Sequence, residues 1–536
     1  MKRIIVTALI LIAATAYITV KYFRNLDTSG THAGNITRTI PDNAALVLEF
    51  ANEKSFYDIF ADNKLIGSLI GEEKLSDLDT ARKVLFGNAM LDQLFNGSNV
   101  FVSAHPLHAD DVELLLTSSA SKDFDITQFD RLAKLQKTGF VITPLKIADR
   151  KGYTVYFNSL KKRFYIINRE ENIYSASFSK ELLDQSVAFR GDKEKQPFLL
   201  LPDKQNSNSL ANLYINYEQL NPLFDQLFKN KNSDLFKSFR LLPALATLNL
   251  NYKTDALMFN GYTNLLTNKP TSYLNIFVSQ QPIVNDLKEI FPSTTAYAMT
   301  MAVSDAKKFK SGLADFHDKA GLKSEREQLF SKVKAETGLF LDSEFNSLLG
   351  QEFAVITTRF QEKFAIIAVK DGSKLRPFMT NISGMITDDV GQFNYAKIPF
   401  FLLGDAFNSF WRPYFRIIDN YLVLANSAKE LESYNDIYFN RKFLNKTEQY
   451  LRFDNLLAER SNVSFFVNFK NIQPILKEQL KDKFYQAYKN ERLSWSGFYG
   501  ASYQFAAADK NFYTNFCMLQ NAPDTSNVTK LIKIDN

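Results

Sequence analysis

The sequence predicts an α+β protein: two tandem, internally duplicated halves, each a mostly antiparallel sheet with packed helices, after one N-terminal transmembrane helix. Three observations predict it. Leu91-Asp92-Gln93-Leu94-Phe95-Asn96 returns as Leu341-Asp342-Ser343-Glu344-Phe345-Asn346, about 250 positions later. Short runs rich in aromatic and β-branched residues are joined by turn residues, with helical stretches grouped between them rather than alternating with every strand. An apolar run bracketed by basic residues opens the chain.

Further echoes keep the chain order. Pro41 to Ala45 answers Pro292 to Ala296, Phe157-Asn158-Ser159 answers Phe407-Asn408-Ser409, and Lys180-Glu181-Leu182 answers Lys429-Glu430-Leu431. Asn216-Tyr217 with Pro222 answers Asn468-Phe469 with Pro474, and Asp255 with Phe259 answers Asp509 with Tyr513. Chance matches would scatter in displacement; these do not. The period is far longer than a solenoid or propeller unit, so it implies domain-sized halves, which suits a chain of 536 residues.

From the N-terminus, Lys2-Arg3 precede the apolar run Ile4 to Val20, and Lys21 and Arg24 close it. Its length is at the short end of a bilayer span, with Tyr22 and Phe23 placed for the interface. The continuity through Tyr17, Ile18 and Val20 favours an uncleaved signal-anchor, while Ala14-Thr15-Ala16 leaves a cleaved signal peptide as the alternative. The expected organisation is an anchor or signal peptide over 1–24 and a flexible linker over 25–39. A first repeat covers 40–266, a connector 267–290, a second repeat 291–520 and a polar tail 521–536.

In the first repeat, strands are expected at Ala44 to Phe50, Asn99 to Ala104, Val112 to Ser118, Tyr153 to Phe157, Phe164 to Asn168 and Ile173 to Phe178. Ser55 and Ser179 read as helix N-caps, and Leu75 to Leu94 as broken helix. Leu213 to Tyr217 is a strand, Asn221-Pro222 starts a helix with proline in its first position, and Ala246 to Tyr252 and Ala256 to Tyr262 close the repeat. Tyr273 to Val278 in the connector reads as a strand. The second repeat runs through Ala296 to Val303, Phe353 to Thr358, Phe364 to Val369, Phe415 to Ile418, Tyr421 to Ala425, Val463 to Phe469, Gly500 to Ala507 and Phe512 to Met518.

Composition excludes several function classes. A net charge of +6 without a long basic run gives no nucleic-acid footprint. One cysteine, Cys517, rules out an internal disulfide framework and reads as a buried small hydrophobe. The 48 Phe and 24 Tyr point instead to sheet-packed aromatic cores. His32, His105, His108 and His317 form no metal motif; His105-Pro106-Leu107-His108 with Asp110 and Asp111 reads as a solvated turn between strands. Ser119-Ala120-Ser121-Lys122 and Lys137-Thr138-Gly139 match penicillin-binding-enzyme motifs but lie too close together for that fold. Glu72-Glu73 and Asp388-Asp389 read as solvated turn residues. No catalytic, metal-binding or cofactor-binding residue is assigned, and no cofactor is expected.

One segment departs from its counterpart. Lys161 and Arg163 of the first copy give way to Trp411 and Pro413 in the second, within a connection between two strands. Trp and Arg together are enriched at interface hot spots. Phe410, Trp411, Arg412, Tyr414 and Arg416 are therefore the candidate partner-binding residues, against packing within or between the halves as the alternative.

With its anchor at Ile4 to Val20 and the openings Ile40-Pro41-Asp42-Asn43-Ala44-Ala45 and Phe291-Pro292-Ser293-Thr294-Thr295-Ala296, the chain resembles uncharacterised bacterial envelope proteins with one N-terminal membrane anchor and a large exported region. The resemblance implies no activity or site. The expectation is a non-catalytic, single-pass membrane protein with its bulk on the periplasmic side of a bacterial inner membrane, binding or scaffolding another protein. Two alternatives stand beside it: a carrier or chaperone for apolar ligands such as lipid or lipoprotein, which an enclosed apolar cavity favours, and a hydrolase with an unrecognised site, which a cleft of perturbed titratable groups favours.

Overall fold

The computed structural model describes residues 36–52, 77, 80–81, 83, 98–108, 111–120, 126–134, 139–170, 172–189, 199, 209–230, 237–253, 255–266, 269, 272–489 and 497–521. The apolar run Ile4 to Val20, His32, the Ser55 cap, Glu72-Glu73, the echo at Leu91 to Asn96, Ser121-Lys122, Lys137-Thr138 and the tail beyond Asn521 lie outside the described residues. Among the described residues, no helix is long and apolar enough to cross a membrane. The chain is α+β with extensive antiparallel sheet, and it divides into two compact units that meet in sequence at Ile215 and Asn216.

The first unit contains β1 (Leu46–Ala51), β2 (Asn99–His108), β3 (Asp111–Ser119), α1 (Gln128–Lys134), β4 (Phe140–Ile147), β5 (Arg150–Phe157), β6 (Lys162–Glu170), β7 (Ile173–Ser177), α2 (Lys180–Ala188) and β8 (Ala211–Asn216). Antiparallel pairings order its strands β8-β1-β2-β3-β7-β6-β5-β4. One face packs α1 through Phe129, Tyr153, Val155, Phe157 and Phe164, and Phe129 stacks on Tyr153 at 5.2 Å between ring centroids. Ser179 caps α2 by accepting from the Leu182 amide at 3.2 Å.

The second unit begins with α3 (Tyr217–Leu227), α4 (Lys237–Arg240), β9 (Ala244–Tyr252), β10 (Ala256–Leu265), a 3-10 helix at Tyr273–Ser279, β11 (Ile283–Val284) and a 3-10 turn at Leu287–Ile290. There follow β12 (Thr295–Ala302), α5 (Ala306–Lys319), α6 (Lys323–Thr337), α7 (Leu341–Leu348), β13 (Leu349–Thr358), β14 (Lys363–Val369), α8 (Gly372–Ile382), β15 (Ser383–Met385) and β16 (Val390–Phe393). Then come α9 (Ile398–Leu403), β17 (Tyr414–Ile418), β18 (Tyr421–Ala425), α10 (Ala428–Phe439), α11 (Glu448–Asp454), β19 (Arg460–Ser461) and β20 (Val463–Asn468). α12 (Gln473–Gln479), α13 (Asp482–Lys489), β21 (Phe498–Ala508) and β22 (Asn511–Gln520) complete it. Its sheet runs β20-β12-β13-β14-β18-β17-β16-β15. Beyond β20 it continues β21-β22-β10-β9, while β11 and β19 form a separate ribbon. The core beneath α10 and α11 holds Phe364, Tyr434, Phe453 and Phe466, with the Tyr434 hydroxyl donating to the Ile290 carbonyl at 3.1 Å.

The pairings of the two units can be set side by side. Val47 faces Ser103 and Tyr214, while Ala298 faces Ile356 and Phe466. Leu116 faces Ala176, which faces Ile166; Ala365 faces Leu424, which faces Phe415. The pair β10–β22 has its own symmetry: Phe259 faces Phe516, Asn260 faces Asn515, Gly261 faces Thr514 and Tyr262 faces Tyr513.

Several expectations are corrected. Tyr273 to Ser279 is a 3-10 helix rather than a strand, with Tyr273, Leu274, Ile276 and Phe277 buried at a helical spacing. Pro222 does not open its helix: α3 starts at Tyr217, because the Asn216 side chain accepts from the Glu218 amide at 3.2 Å and nucleates the helix earlier. His105 is not in a solvated turn. Strand β2 runs on to His108, past the end of its β1 pairing at Ala104, so Pro106 sits where no β1 carbonyl needs its missing N–H. In the division into compact units, β9 and β10 fall in the second unit.

Candidate functional site

Strand ends and the turns that follow them converge in the second unit to line a polar cleft of about 460 Å³, within the range of small-molecule sites. The corner between β20 and α12 supplies Asn468, Lys470, Asn471 and Gln473. The approach to α11 adds Leu444, Thr447 and Gln449, and the start of β21 adds Phe498 and Tyr499. Arg359 enters from the turn between β13 and β14, and Ser293 from the lead into β12.

Asn471 ties these segments together. Its backbone amide donates to Asn468 Oδ1 at 3.0 Å, and its Nδ2 donates to the carbonyls of Ser293 at 3.0 Å and Thr295 at 2.9 Å. The Arg359 amide donates to the Thr294 carbonyl at 2.8 Å, and the Phe469 amide to the Tyr499 carbonyl at 3.0 Å. Buried backbone groups need such partners, so the rim is set by the ends of the sheet rather than by free loops. Thr447 Oγ1 donates to the Leu444 carbonyl at 2.8 Å, closing the turn before α11.

Two cations face this cleft. Arg359 lies over the Phe360 ring at 4.7 Å, and Lys470 stands exposed at the corner. Neither makes an ion pair among the described residues. The lining contains amides, hydroxyls and these cations, and none of its residues is a carboxylate, imidazole or thiol. Tyr499 is 6% exposed, and its hydroxyl has no hydrogen-bond partner. Burial pushes its pKa up to about 12; Thr447 and Asn468 lie near enough to oppose that shift, though outside hydrogen-bonding geometry. The Tyr499 hydroxyl is thus a protonated donor throughout the neutral range. The arrangement can grip oxygen-rich groups and offset negative charge.

The five sequence-selected residues lie elsewhere in the second unit. Phe410 is fully buried, so it belongs to the core rather than to a partner surface. The segment lies in the connection between β16 and β17, which contains α9 and then passes back through the core at Phe407 and Phe410. Trp411 is 56% exposed, with Lys397 Nζ 4.9 Å from its ring and Lys397 in turn paired with Glu325. Arg412 Nε donates to the Phe393 carbonyl at 3.1 Å. Tyr414 is half-buried on β17, and Arg416 on the same strand is paired with Asp389.

Groups outside the cleft lining are perturbed too. His105 is buried with Nδ1 at 2.7 Å from Asn43 Oδ1 and Nε2 at 2.8 Å from Ser103 Oγ, and desolvation lowers its pKa to about 3. Both ring nitrogens are therefore engaged in holding β2. His317 is packed among Phe316, Phe400 and Phe401, and burial lowers its pKa to about 4. Cys517 is buried in β22, and desolvation pushes its thiol up to about 12. Among the described residues no group of three or more His, Cys, Asp or Glu could hold a metal ion. A wholly apolar cavity under α8 and α9, lined by residues such as Phe345, Met379 and Leu402, holds only about 10 Å³, the room of about one water molecule.

Sequence reading missed the cleft. Of its lining, the sequence points to Asn468, as an echo of Asn216, and to Ser293, within the opening Phe291 to Ala296, and nothing in the sequence brings the two together. Compared with known protein families, curated proteins and solved structures, the chain matches none.

Proposed function

We propose that this chain is a membrane-tethered envelope protein, built by duplication of one α+β unit, that acts by binding rather than by catalysis. The cleft carries the reading: its polar lining consists of amides, hydroxyls and two cations, groups that hold a ligand in place. Support for duplication comes from the same strand order, β8-β1-β2-β3-β7-β6-β5-β4 against β20-β12-β13-β14-β18-β17-β16-β15, with matching cross-strand pairs. Support for tethering comes from the basic-bracketed run Ile4 to Val20, and the proposed orientation has the bulk of the chain on the periplasmic side of a bacterial inner membrane.

A protein partner is a second reading, favoured by one observation: Trp411 leaves 56% of its surface in solvent beside the exposed Arg412. One preparation tests both. The full chain is purified from its native membranes in mild detergent and weighed intact by native mass spectrometry. A small-molecule adduct that Lys470→Glu abolishes is expected from the cleft. A co-purifying protein that Trp411→Ala abolishes is expected from the second reading. A bare chain in every preparation refutes binding.

A further inference from the structure

We infer that the cleft takes a small, hydroxyl-rich ligand carrying one anionic group, an acidic saccharide such as a uronic acid or a sugar phosphate. This rests on the reading of the cleft as a binding site. Arg359 and Lys470 reach it from different elements, the turn after β13 and the corner after β20, and no carboxylate in the lining offsets them. A guanidinium presents a planar fork of donors that matches a carboxylate or phosphate, and an ammonium adds a second point charge. The uncompensated pair therefore favours an anion over a neutral or cationic ligand.

The rest of the lining specifies what surrounds the anion. Asn468, Gln449 and Gln473 carry primary amides, and Ser293 and Thr447 carry hydroxyls. These groups together supply both donors and acceptors, as a ring of hydroxyls requires: Asn468 keeps its Nδ2 donors while its Oδ1 holds the Asn471 amide, and Thr447 keeps acceptor capacity while its proton goes to the Leu444 carbonyl. An inorganic anion alone leaves the acceptor half of this set unused. Phe498 and Tyr499 are 2% and 6% exposed, so their ring faces are covered and recognition falls to polar groups. The volume of about 460 Å³ fits a small molecule rather than a folded partner.

Isothermal titration calorimetry on the full chain in mild detergent tests the class, with glucuronic acid and glucose 6-phosphate as probes. Glucose and inorganic phosphate serve as controls. Binding of at least one acidic sugar is expected, roughly tenfold or more tighter than both glucose and phosphate, since charge-assisted bonds are about twice as strong as neutral ones. Binding of only one acidic sugar identifies the anion as carboxylate or phosphate. Arg359→Ala and Lys470→Ala, both at exposed positions, should each weaken binding about tenfold and reduce its salt dependence. Glucose binding as tightly as the acidic sugars overturns the proposal, as does phosphate binding as tightly as glucose 6-phosphate. Failure of all four probes while the native-mass adduct persists overturns the ligand class and leaves the binding reading standing; failure of both removes both.

Discussion

Glu49 and Glu352 are both buried carboxylates in antiparallel sheet, one in each unit, yet they are held in different ways. Glu49 on β1 has both oxygens occupied: Asn99 Nδ2 donates to Oε1 at 2.7 Å, while Asn212 Nδ2 at 3.1 Å and the Tyr214 hydroxyl at 2.5 Å donate to Oε2. Glu352 on β13 accepts the Asp286 and Leu287 amides at 3.0 and 3.1 Å, both on Oε2, and its Oε1 has no partner. Burial raises Glu352 from the ordinary glutamate value of 4.5 to about 7, against the two backbone donors, with Asp286 reinforcing the rise and Lys288 opposing it. The positions are also exchanged. Glu49 faces Asn212 across β1–β8, whereas Thr300 faces Ser464 at the matching place in β12–β20. Asn99 closes the β1–β2 ladder opposite Ala51, whereas Glu352 stands opposite Ala302 in β12–β13. A common strand order therefore does not dictate where charge is buried; the donors within reach do.

Three substitutions sharpen or break this contrast. Glu49→Ala has the largest expected effect. It strands the donors of Asn99, Asn212 and Tyr214, and a loss of about 3 kcal/mol in urea unfolding is expected. A loss under about 1 kcal/mol means the donors find other acceptors, and the contrast fails. Tyr214→Phe removes one charge-assisted bond from a fully buried site, for about 1.5 kcal/mol by the same measurement.

Glu352→Gln has the smallest effect, and that effect depends on pH. A carboxylate with a raised folded pKa contributes stability that is fully present below 4.5 and lost as pH rises through about 7. Unfolding free energies measured across that window should fall with pH for the natural chain and fall less for Glu352→Gln. An unchanged slope in the variant assigns the titration to another group.

Much of the sheet was legible in the sequence because its strands are dense in Phe, Ile, Val and Tyr between clear turns. The strand β4 was missed because most of it faces solvent and it contains Pro144, which removes the usual alternation. The strands β15 and β16 were missed because they are three and four residues long and carry Gly384 and Gly391. The run Tyr273 to Ser279 was misread because a short apolar stretch has no period long enough to separate strand from helix. The cleft was illegible for another reason. Arg359, Lys470 and Tyr499 come from three separated segments, and each is an ordinary polar residue until the sheet brings the segments together.

The strand pair β10–β22 has a consequence for the origin of the chain. On the proposed duplication, Phe259 corresponds to Tyr513 and Asp255 to Asp509, so the two strands are copies of each other that pair antiparallel. Their register runs evenly about the step from Asn260 to Gly261, with Phe259 against Phe516 and Tyr262 against Tyr513. Such a self-complementary seam is the kind that joins identical subunits across a two-fold axis. On that proposal, an ancestor of single length would have had the seam available for dimerisation, in an assembly that dissolves on dilution. Fusion of two copies would turn an encounter between molecules into one within a molecule, at an effective concentration fixed by the tether, so that the seam would hold at any abundance of the protein. On the same proposal, each strand would also be free to change without its twin changing too, so the two copies could diverge in what they bind.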